Sequence, residues 1–460
     1  MSATKPDTAD LKRDRKAKAR SKKRLGGGAL EGNRANSARE QKLYQNYKDA
    51  EWGFINHWYP ALFSTELADG DAEGIKICGI PIVLRRAKGK VYALKDQCLH
   101  RGVRLSKKPL CLSDSTITCW YHGYTFDLES GELVSIVAAP DDKIIGTTGI
   151  TSYPVEEVNG MIFVFVKEDD FDEDIPPLAS DLPIRYPENN ERFPHPLWPD
   201  TPSVLDDNAV CLGIHRTGFS NWRIAVENGF DAGHLLIHKD NPITLAKDMS
   251  LPMGIKCTNP EGMVPIEDDD GPKGFLQLFY SSDHFVPVLE NKVLDMKVDG
   301  VAGRPYRTSV VVPGVLMVEN WPEEHVVQYE WYVPVTDDTY EYWEVLVRVC
   351  PSEAEREAFR YRFDYLYEPL FLEGFNNCDL FARDNMQDFY ADGTGWDDEQ
   401  LADMDASVIL WRKQASRFAR GIAAKPRGVA GALKATSQQM RDTAAGEAPA
   451  YRVRKAPKIL

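Results

Sequence analysis

Over the first third of the chain, apolar and polar positions alternate in short runs separated by turn residues. Residues 75–85 and 91–95 alternate about an Ala87-Lys88-Gly89-Lys90 turn. Residues 121–128 and 132–137 flank Glu129-Ser130-Gly131, and 153–158 meets 161–166 through Asn159-Gly160, the strongest short hairpin signal. The pattern predicts a small all-β domain over residues 45–168. Order is expected from about residues 41–52, with Trp52, Phe54, Trp58, Tyr59 and Phe63 supplying apolar surface. Residues 169–202 break the alternation with Asp169-Asp170, Asp172-Glu173-Asp174 and Pro176-Pro177, an acidic, Pro-rich linker.

Beyond the linker, residues 221–240 have helical composition, and strand-like segments follow, clearest at 275–280, 309–318, 326–335 and 340–349. Alternation over 327–333 predicts an antiparallel sheet with one face covered. Ser352 and Glu355 form a capping box, and Phe359, Phe363, Leu366, Tyr367 and Leu370 then make an apolar stripe at helical spacing, read as core. Helical composition resumes over 373–390 and from 403 to about 424. Residues 203–415 therefore read as a second domain in which helices pack on one large antiparallel sheet, giving an α+β chain.

Length changes little: 460 residues suffice for two or three domains. Charge changes more. Residues 1–44 carry 13 Lys/Arg against 5 Asp/Glu, a net of +8, and residues 411–460 carry 12 against 2, a net of +10. With a total of -15, the middle holds -33 (-15 - 8 - 10). Residues 1–44 and 416–460 thus read as basic tails on an acidic globule. The first lacks aromatics for base stacking and runs into Gly26-Gly27-Gly28, so it is read as disordered and solvated, not as a nucleic-acid arm. No apolar h-region follows it, and no run approaches the roughly 18 apolar residues of a membrane span. Eight cysteines in a chain of this length, without a signal peptide, point to free or metal-bound thiols in a reducing, cytoplasmic setting.

Two constellations carry chemistry. Cys98-Leu99-His100 is followed 18 residues later by Cys119-Trp120-Tyr121-His122. Structural zinc sites usually pair like ligands, whereas one thiolate and one imidazole from each loop fit an iron pair with two Cys on one iron and two His on the other, a Rieske [2Fe–2S] cluster. Respiratory-type Rieske proteins have an extra Cys in each ligand loop; here Val103 and the absence of any Cys between Cys119 and His122 preclude that disulfide. The expected potential is at the lower end of the Rieske range, about -150 mV. Arg101, Arg104, Lys107 and Lys108 surround the first loop, either as a dock for an acidic ferredoxin or as ordinary solvated charges. The second constellation lies in residues 221–240, NWRIAVENGFDAGHLLIHKD. His234 and His238 are spaced i, i+4 on one predicted helix face, with Asp231 one turn before. By spacing alone the pair fits either a metal grip or two hydrogen-bonded histidines.

With both constellations in view, the chain resembles the α subunits of Rieske non-haem iron aromatic-ring-hydroxylating oxygenases over roughly residues 52–414. It looks closest to the carbazole 1,9a-dioxygenase terminal oxygenase group. The carrying segments are NHWYPALFS at 56–64, KDQCLHRGVRLS at 95–106, STITCWYHGYT at 115–125, the 221–240 stretch and EGFNNCDLFAR at 373–383. The resemblance implies a β Rieske domain followed by a helix-grip, START-like catalytic domain. It implies Cys98, His100, Cys119 and His122 as cluster ligands, and His234, His238 and Asp379 as the facial triad of a mononuclear non-haem Fe(II). From the residues alone, Asp384 or Asp388 would be equal candidates for the carboxylate. Asp231 is implied as a bridge between a cluster histidine of the neighbouring subunit and an iron histidine. Gly229, Phe230, Phe375 and Asn376 are expected to line the substrate pocket, with Glu227 and Asn228 also facing it. Cys378 stands where relatives commonly have an acidic residue, and the wall expected from 257–312 resembles the carbazole group poorly.

The implied activity is that of a terminal oxygenase using O2 and electrons from a ferredoxin, itself served by an NAD(P)H reductase. It would dihydroxylate, at angular or cis positions, an apolar aromatic or heteroaromatic compound such as carbazole, as a homotrimer without nucleic-acid or membrane partners. The competing readings are a monooxygenase or oxidative demethylase on the same scaffold and a Rieske electron carrier without catalysis.

Overall fold

The computed structural model describes residues 42–183, 202–231, 233–238, 240–242, 263–266, 275–279, 307–402, 405–426 and 453–455. Most of both expected tails, residues 184–201 of the linker and most of the 257–312 wall lie outside the described residues. The chain divides into two compact units, Met1–Gln45 and Asn46–Leu460. Of the first, the structure describes one short 3-10 turn, Lys42–Tyr44, and the start of the helix Gln45–Asp49. Everything below concerns the second.

Its N-terminal part is built from small antiparallel sheets. Strand β1 (His57–Phe63) is followed by β2 (Ala72–Ile77), β3 (Ile80–Ala87) and β4 (Lys90–Lys95). Next come β5 (Leu110–Ser113), β6 (Thr116–Thr118), β7 (Tyr124–Asp127) and β8 (Leu133–Ile136). Then β9 (Ser152–Tyr153), β10 (Val155–Val158) and β11 (Met161–Val166) close the region. They pair as β1-β11-β10, β2-β3-β4-β9 and β5-β6-β7-β8. The turns explain the pattern. Asn159 and Gly160 both take positive φ (46° and 84°), as do Lys88 and Gly89, the geometry that matches the twist of a two-residue hairpin. Cys78-Gly79 adds a third such turn, which splits residues 75–85 into two strands where one was expected.

The C-terminal part holds an eight-stranded antiparallel sheet among the described residues. Its strands are β12 (Ala209–Gly218), β13 (Met263–Ile266), β14 (Phe275–Phe279), β15 (Arg307–Val311), β16 (Val315–Glu319), β17 (Val327–Pro334), β18 (Tyr340–Val349) and β19 (Val453–Lys455). Their order is β13-β14-β15-β16-β17-β18-β12-β19. Residues 309–318 also form two strands, because Val312-Pro313-Gly314 turns there and Pro has no N–H for a ladder. The residues expected to be a C-terminal tail begin packed, not free: Ala423 N–H donates to Gly53 O at 3.0 Å, and Phe54 bridges to Ile422.

The main correction concerns β17. Alternation implied a sheet with one covered face, yet all eight of its residues are buried. Tyr329, Trp331 and Val333 join the apolar core with β1 and β11, where Phe163 and Trp331 rings lie 6.0 Å apart. On the other face, Gln328, Glu330 and Tyr332 are buried too. That face is covered by helix α1 (Trp222–Phe230), which starts where Asn221 accepts a hydrogen bond from Arg223 N–H. After β18 come α2 (Glu353–Arg362), opened by the Ser352/Glu355 capping box, and a π-helical segment, Phe363–Leu372, containing Pro369. Helices α3 (Asn377–Tyr390) and α4 (Ala406–Phe418) follow. Among the described residues no helix is long and apolar enough to cross a membrane.

Candidate functional site

The two cluster loops repeat one construction. Cys98 and Cys119 are buried with free thiols, and four residues after each a glycine turns back. Gly102 and Gly123, both at φ 73°, donate their N–H to Cys98 O (2.8 Å) and Cys119 O (3.0 Å). A Cβ on Gly123 would stand 2.5 Å from Val137 Cβ, so that turn needs glycine on both counts. His100 and His122 are held near the surface, with Nδ1 atoms 3.0 Å apart and rings crossing at 74°. Tyr124 stacks on His100 at 4.9 Å. Two buried thiols beneath two imidazoles whose Nδ1 atoms converge suit the mixed donor set of a Rieske cluster. Of the basic residues around the loop, Arg101, Lys107 and Lys108 are exposed, whereas Arg104 donates to Asp96 O at 3.0 Å.

The residues expected at the iron site come from three elements. Helix α1 is shorter than the sequence implied: it ends at Phe230, and His234–His238 is a 3-10 turn, not a continuation of the helix. Asp231 caps α1 with extended backbone, so Gly229 stands near the helix end, not in its middle. Asp379 comes from the first turn of α3, where the helix N-terminus favours a carboxylate. Its Oδ1 lies 3.4 Å from His234 Nε2 and 3.3 Å from His238 Nε2, and the three potential ligand atoms fall within 4.8 Å of one another. Asp384, the alternative acid, instead accepts a hydrogen bond from Phe219 N–H at 3.0 Å.

Several observations fit a metal here. Both ring nitrogens of fully buried His238, and Oδ1 of Asp379, lack a well-directed hydrogen bond, which is costly for buried polar atoms unless something else binds them. Burial works against charge on His238, but the Asp379 carboxylate overrides it and lifts the imidazole to about 9. Burial opposes ionisation of Asp379 too, yet the His238 pairing holds its carboxyl far below the usual range. A field that retains a proton between these groups suits a cation. His238 also stacks on Phe375 at 3.6 Å.

Asp231 departs from its expected geometry within one subunit. Its backbone carbonyl, not its carboxylate, meets His234 Nδ1. That contact puts the proton on Nδ1 and leaves Nε2 directed at Asp379. The carboxylate accepts from Gly233 N–H at 2.7 Å, and burial raises its pKa.

A cavity opens beside His234 and Asp379. Of the expected pocket residues, Gly229, Phe375 and Asn376 line it, whereas Phe230 is buried elsewhere, its carbonyl accepting from Ser407. Glu227 and Asn228 do not line it: Glu227 pairs with Arg412 (2.7 Å), and Asn228 Oδ1 accepts from Arg383 Nε (2.5 Å). Thr308, from the wall expected over 257–312, lines the cavity, as do Trp321, Gln328, Glu330 and Arg383, which the sequence does not single out. The signal for Gln328 and Glu330 is their period-two placement, which puts them on one face of the strand without showing what covers that face. Gln328 Nε2 donates to Glu330 Oε1 at 2.5 Å, and Tyr332 Oη donates to Glu330 Oε2. Burial raises the Glu330 carboxyl, opposed by the Arg383 guanidinium.

A family model described as homotrimeric ring hydroxylase matches residues 170–423, and one described as a Rieske [2Fe–2S] domain matches 57–154. The carbazole 1,9a-dioxygenase terminal oxygenase component of Metapseudomonas resinovorans is 40% identical over 391 residues, 83% of this chain and 95% of that protein. Among solved structures, a 2-oxoquinoline 8-monooxygenase component aligns with a TM-score of 0.82 and 66% identity, covering 92% of this chain and 98% of that one. A fluorene-bound oxygenase–ferredoxin complex of carbazole 1,9a-dioxygenase aligns with a TM-score of 0.74 and 37% identity, covering 84% and 96%.

Proposed function

The chain belongs to the homotrimeric ring hydroxylase family and carries a Rieske domain, and from that premise we propose that it hydroxylates one position of a flat N-heteroaromatic ring. It does so as the terminal oxygenase of a ferredoxin-fed system. The observation that carries this reading is the similarity to 2-oxoquinoline 8-monooxygenase, which extends over nearly the whole chain. Dihydroxylation of a larger fused heterocycle is the second reading, favoured by the similarity to carbazole 1,9a-dioxygenases.

Buried Cys98 and Cys119 would hold one iron of the cluster, and His100 and His122, nearer the surface, would hold the other. Exposed Arg101, Lys107 and Lys108 draw an acidic ferredoxin to that edge. His234, His238 and Asp379 would hold the mononuclear iron. When bound, the iron supplies dioxygen activation and the cluster supplies electrons. In a trimer the Asp231 carboxylate, at the end of α1, meets a cluster histidine of the neighbouring subunit. Its own backbone carbonyl meanwhile fixes the tautomer of His234. Phe375 and Trp321 close the cavity with apolar surface and hold a flat ring against the buried face of β17.

The test supplies a surrogate ferredoxin and reductase, 18O2, and either 2-oxoquinoline or carbazole. A product of 2-oxoquinoline bearing one labelled oxygen is expected. Two labelled oxygens on either ring system would replace this reading with dihydroxylation, and turnover of neither compound would remove the substrate class.

A further inference from the structure

Strand β17 puts Gln328, Glu330 and Tyr332 on the face covered by α1, and Gln328 and Glu330 bound the cavity beside His234 and Asp379. Polar groups on a covered face are costly unless each is hydrogen-bonded. Glu330 meets that demand by taking the Gln328 amide N–H on one oxygen, at 2.5 Å, and the Tyr332 hydroxyl on the other. Glu344, opposite Glu330 on β18, does the same for Asn376, whose Nδ2 donates to its Oε1 at 2.6 Å. Arg216 clamps that carboxylate at 2.7 and 3.0 Å.

The consequence is a matter of donor and acceptor inventory. An amide that gives one N–H to a fixed carboxylate is held in one orientation, with its carbonyl oxygen and its second N–H left for anything else. Gln328 makes no other side-chain hydrogen bond among the described residues. The cavity wall therefore offers an acceptor, and Asn376, beside Asp379, repeats the arrangement. We propose that Gln328 Oε1, held in place by Glu330, accepts the ring N–H of the substrate and selects N–H heteroaromatics over isosteres that lack it. Glu330 is a positioning residue that acts through Gln328. The inference rests on the heteroaromatic reading above. It narrows that class to rings with a donor nitrogen, such as lactams and pyrrole-type rings, because a buried acceptor left without its donor penalises the wrong ligand.

The test compares two flat bicyclic lactone and lactam probes, 2-oxoquinoline and coumarin, which differ at one ring position, N–H against O. Their dissociation constants are measured by equilibrium dialysis on the iron-loaded holoenzyme, after its Rieske absorption and iron content have been checked. The wild-type protein is expected to hold 2-oxoquinoline about tenfold or more tighter. In Gln328→Met the ratio falls to within about twofold, mainly through weaker binding of 2-oxoquinoline. In Glu330→Gln a single amide oxygen must serve both the Gln328 N–H and the Tyr332 hydroxyl, so Gln328 is held less firmly and the ratio falls as well. An unchanged ratio in Gln328→Met places the N–H on another acceptor and overturns the assignment, leaving the substrate class intact. Failure of the wild-type protein to bind either probe overturns the substrate class and this inference together. Should Gln328→Met lose its cluster spectrum or iron, the ratio in Glu330→Gln decides, and no change there overturns the proposal.

Discussion

Glu330 on β17 and Glu344 on β18 are direct cross-strand neighbours, and both are buried. Like charges directly opposite one another destabilise a strand pair. The pair is tolerated because each carboxylate has its own donors: Gln328 and Tyr332 for Glu330, Arg216 and Asn376 for Glu344. Burial still lifts Glu344 to about 7 against the Arg216 charge. The polar layer this creates lies between the sheet and the metal-binding elements.

Arg216 is the keystone of that layer, because it also donates to Asn377 Oδ1 and Leu372 O at 2.6 Å, fixing the start of α3. Arg216→Ala leaves a buried carboxylate without its cation, a change of about 3–5 kcal/mol. Urea denaturation should show a loss of that size. Iron retained per chain should fall because Asp379 sits in the α3 turn that Arg216 fixes, while the Rieske absorption is preserved.

Gly229 touches Tyr332. A Cβ at Gly229 would stand 1.8 Å from Tyr332 Oη. Alanine gains roughly 1 kcal/mol in helix propensity, but overpacking costs about 1–3 kcal/mol and pushes on the Glu330 ladder. Gly229→Ala is therefore expected to lower stability and raise the substrate KM. Tyr332→Phe in the same chain, which removes the blocking oxygen, should recover part of both; a double variant no better than Gly229→Ala would show that the clash lies elsewhere.

On the proposed assignment, a change at Asp231 separates metal binding from electron delivery. Since its backbone carbonyl serves His234, removing its carboxylate leaves the ligand's tautomer in place. Asp231→Ala should keep three irons per chain and a normal, chemically reducible Rieske spectrum, yet form product about ten- to a hundredfold more slowly than wild type, the scale seen when a metal ligand's partner is removed. His234→Ala should fall to two irons. Near-normal turnover in Asp231→Ala is the result that would remove the bridge assignment.

His215 gives a pH-dependent contribution to stability away from the site. It lies between Glu66 (3.0 Å) and Glu341 (2.9 Å) and stacks on Trp343. Burial disfavours its charged form, but the two carboxylates prevail and raise its pKa above the ordinary value of 6.5. The folded state thus binds the proton more tightly than the unfolded chain. The stabilisation is complete below about pH 6.5 and is lost as pH rises through the raised folded value. Denaturation midpoints above pH 6.5 should fall more steeply in wild type than in His215→Gln; parallel profiles would show that His215 is neutral in the fold.

Much of this protein is written locally. The CxH and CxxH spacings put a thiol and an imidazole on each of two glycine-closed turns, and Asn159-Gly160 specifies its hairpin through two positive-φ positions. The Ser352/Glu355 box opens α2 where its side chains meet the first backbone N–H groups. Each of these is settled within a few residues, so short-range chemistry suffices to read it. Two features are not settled that way. Asp379 reaches His234 and His238 only because α3 packs against the end of α1, with Arg216 anchoring its first turn, and nothing in the residues near Asp379 distinguishes it from Asp384 or Asp388. The alternation along β17 shows which side chains share a face but not what covers that face. Gln328 and Glu330 therefore read as solvated until α1 is seen to lie over them. Periodicity is a property of one strand; burial is decided by what packs against it.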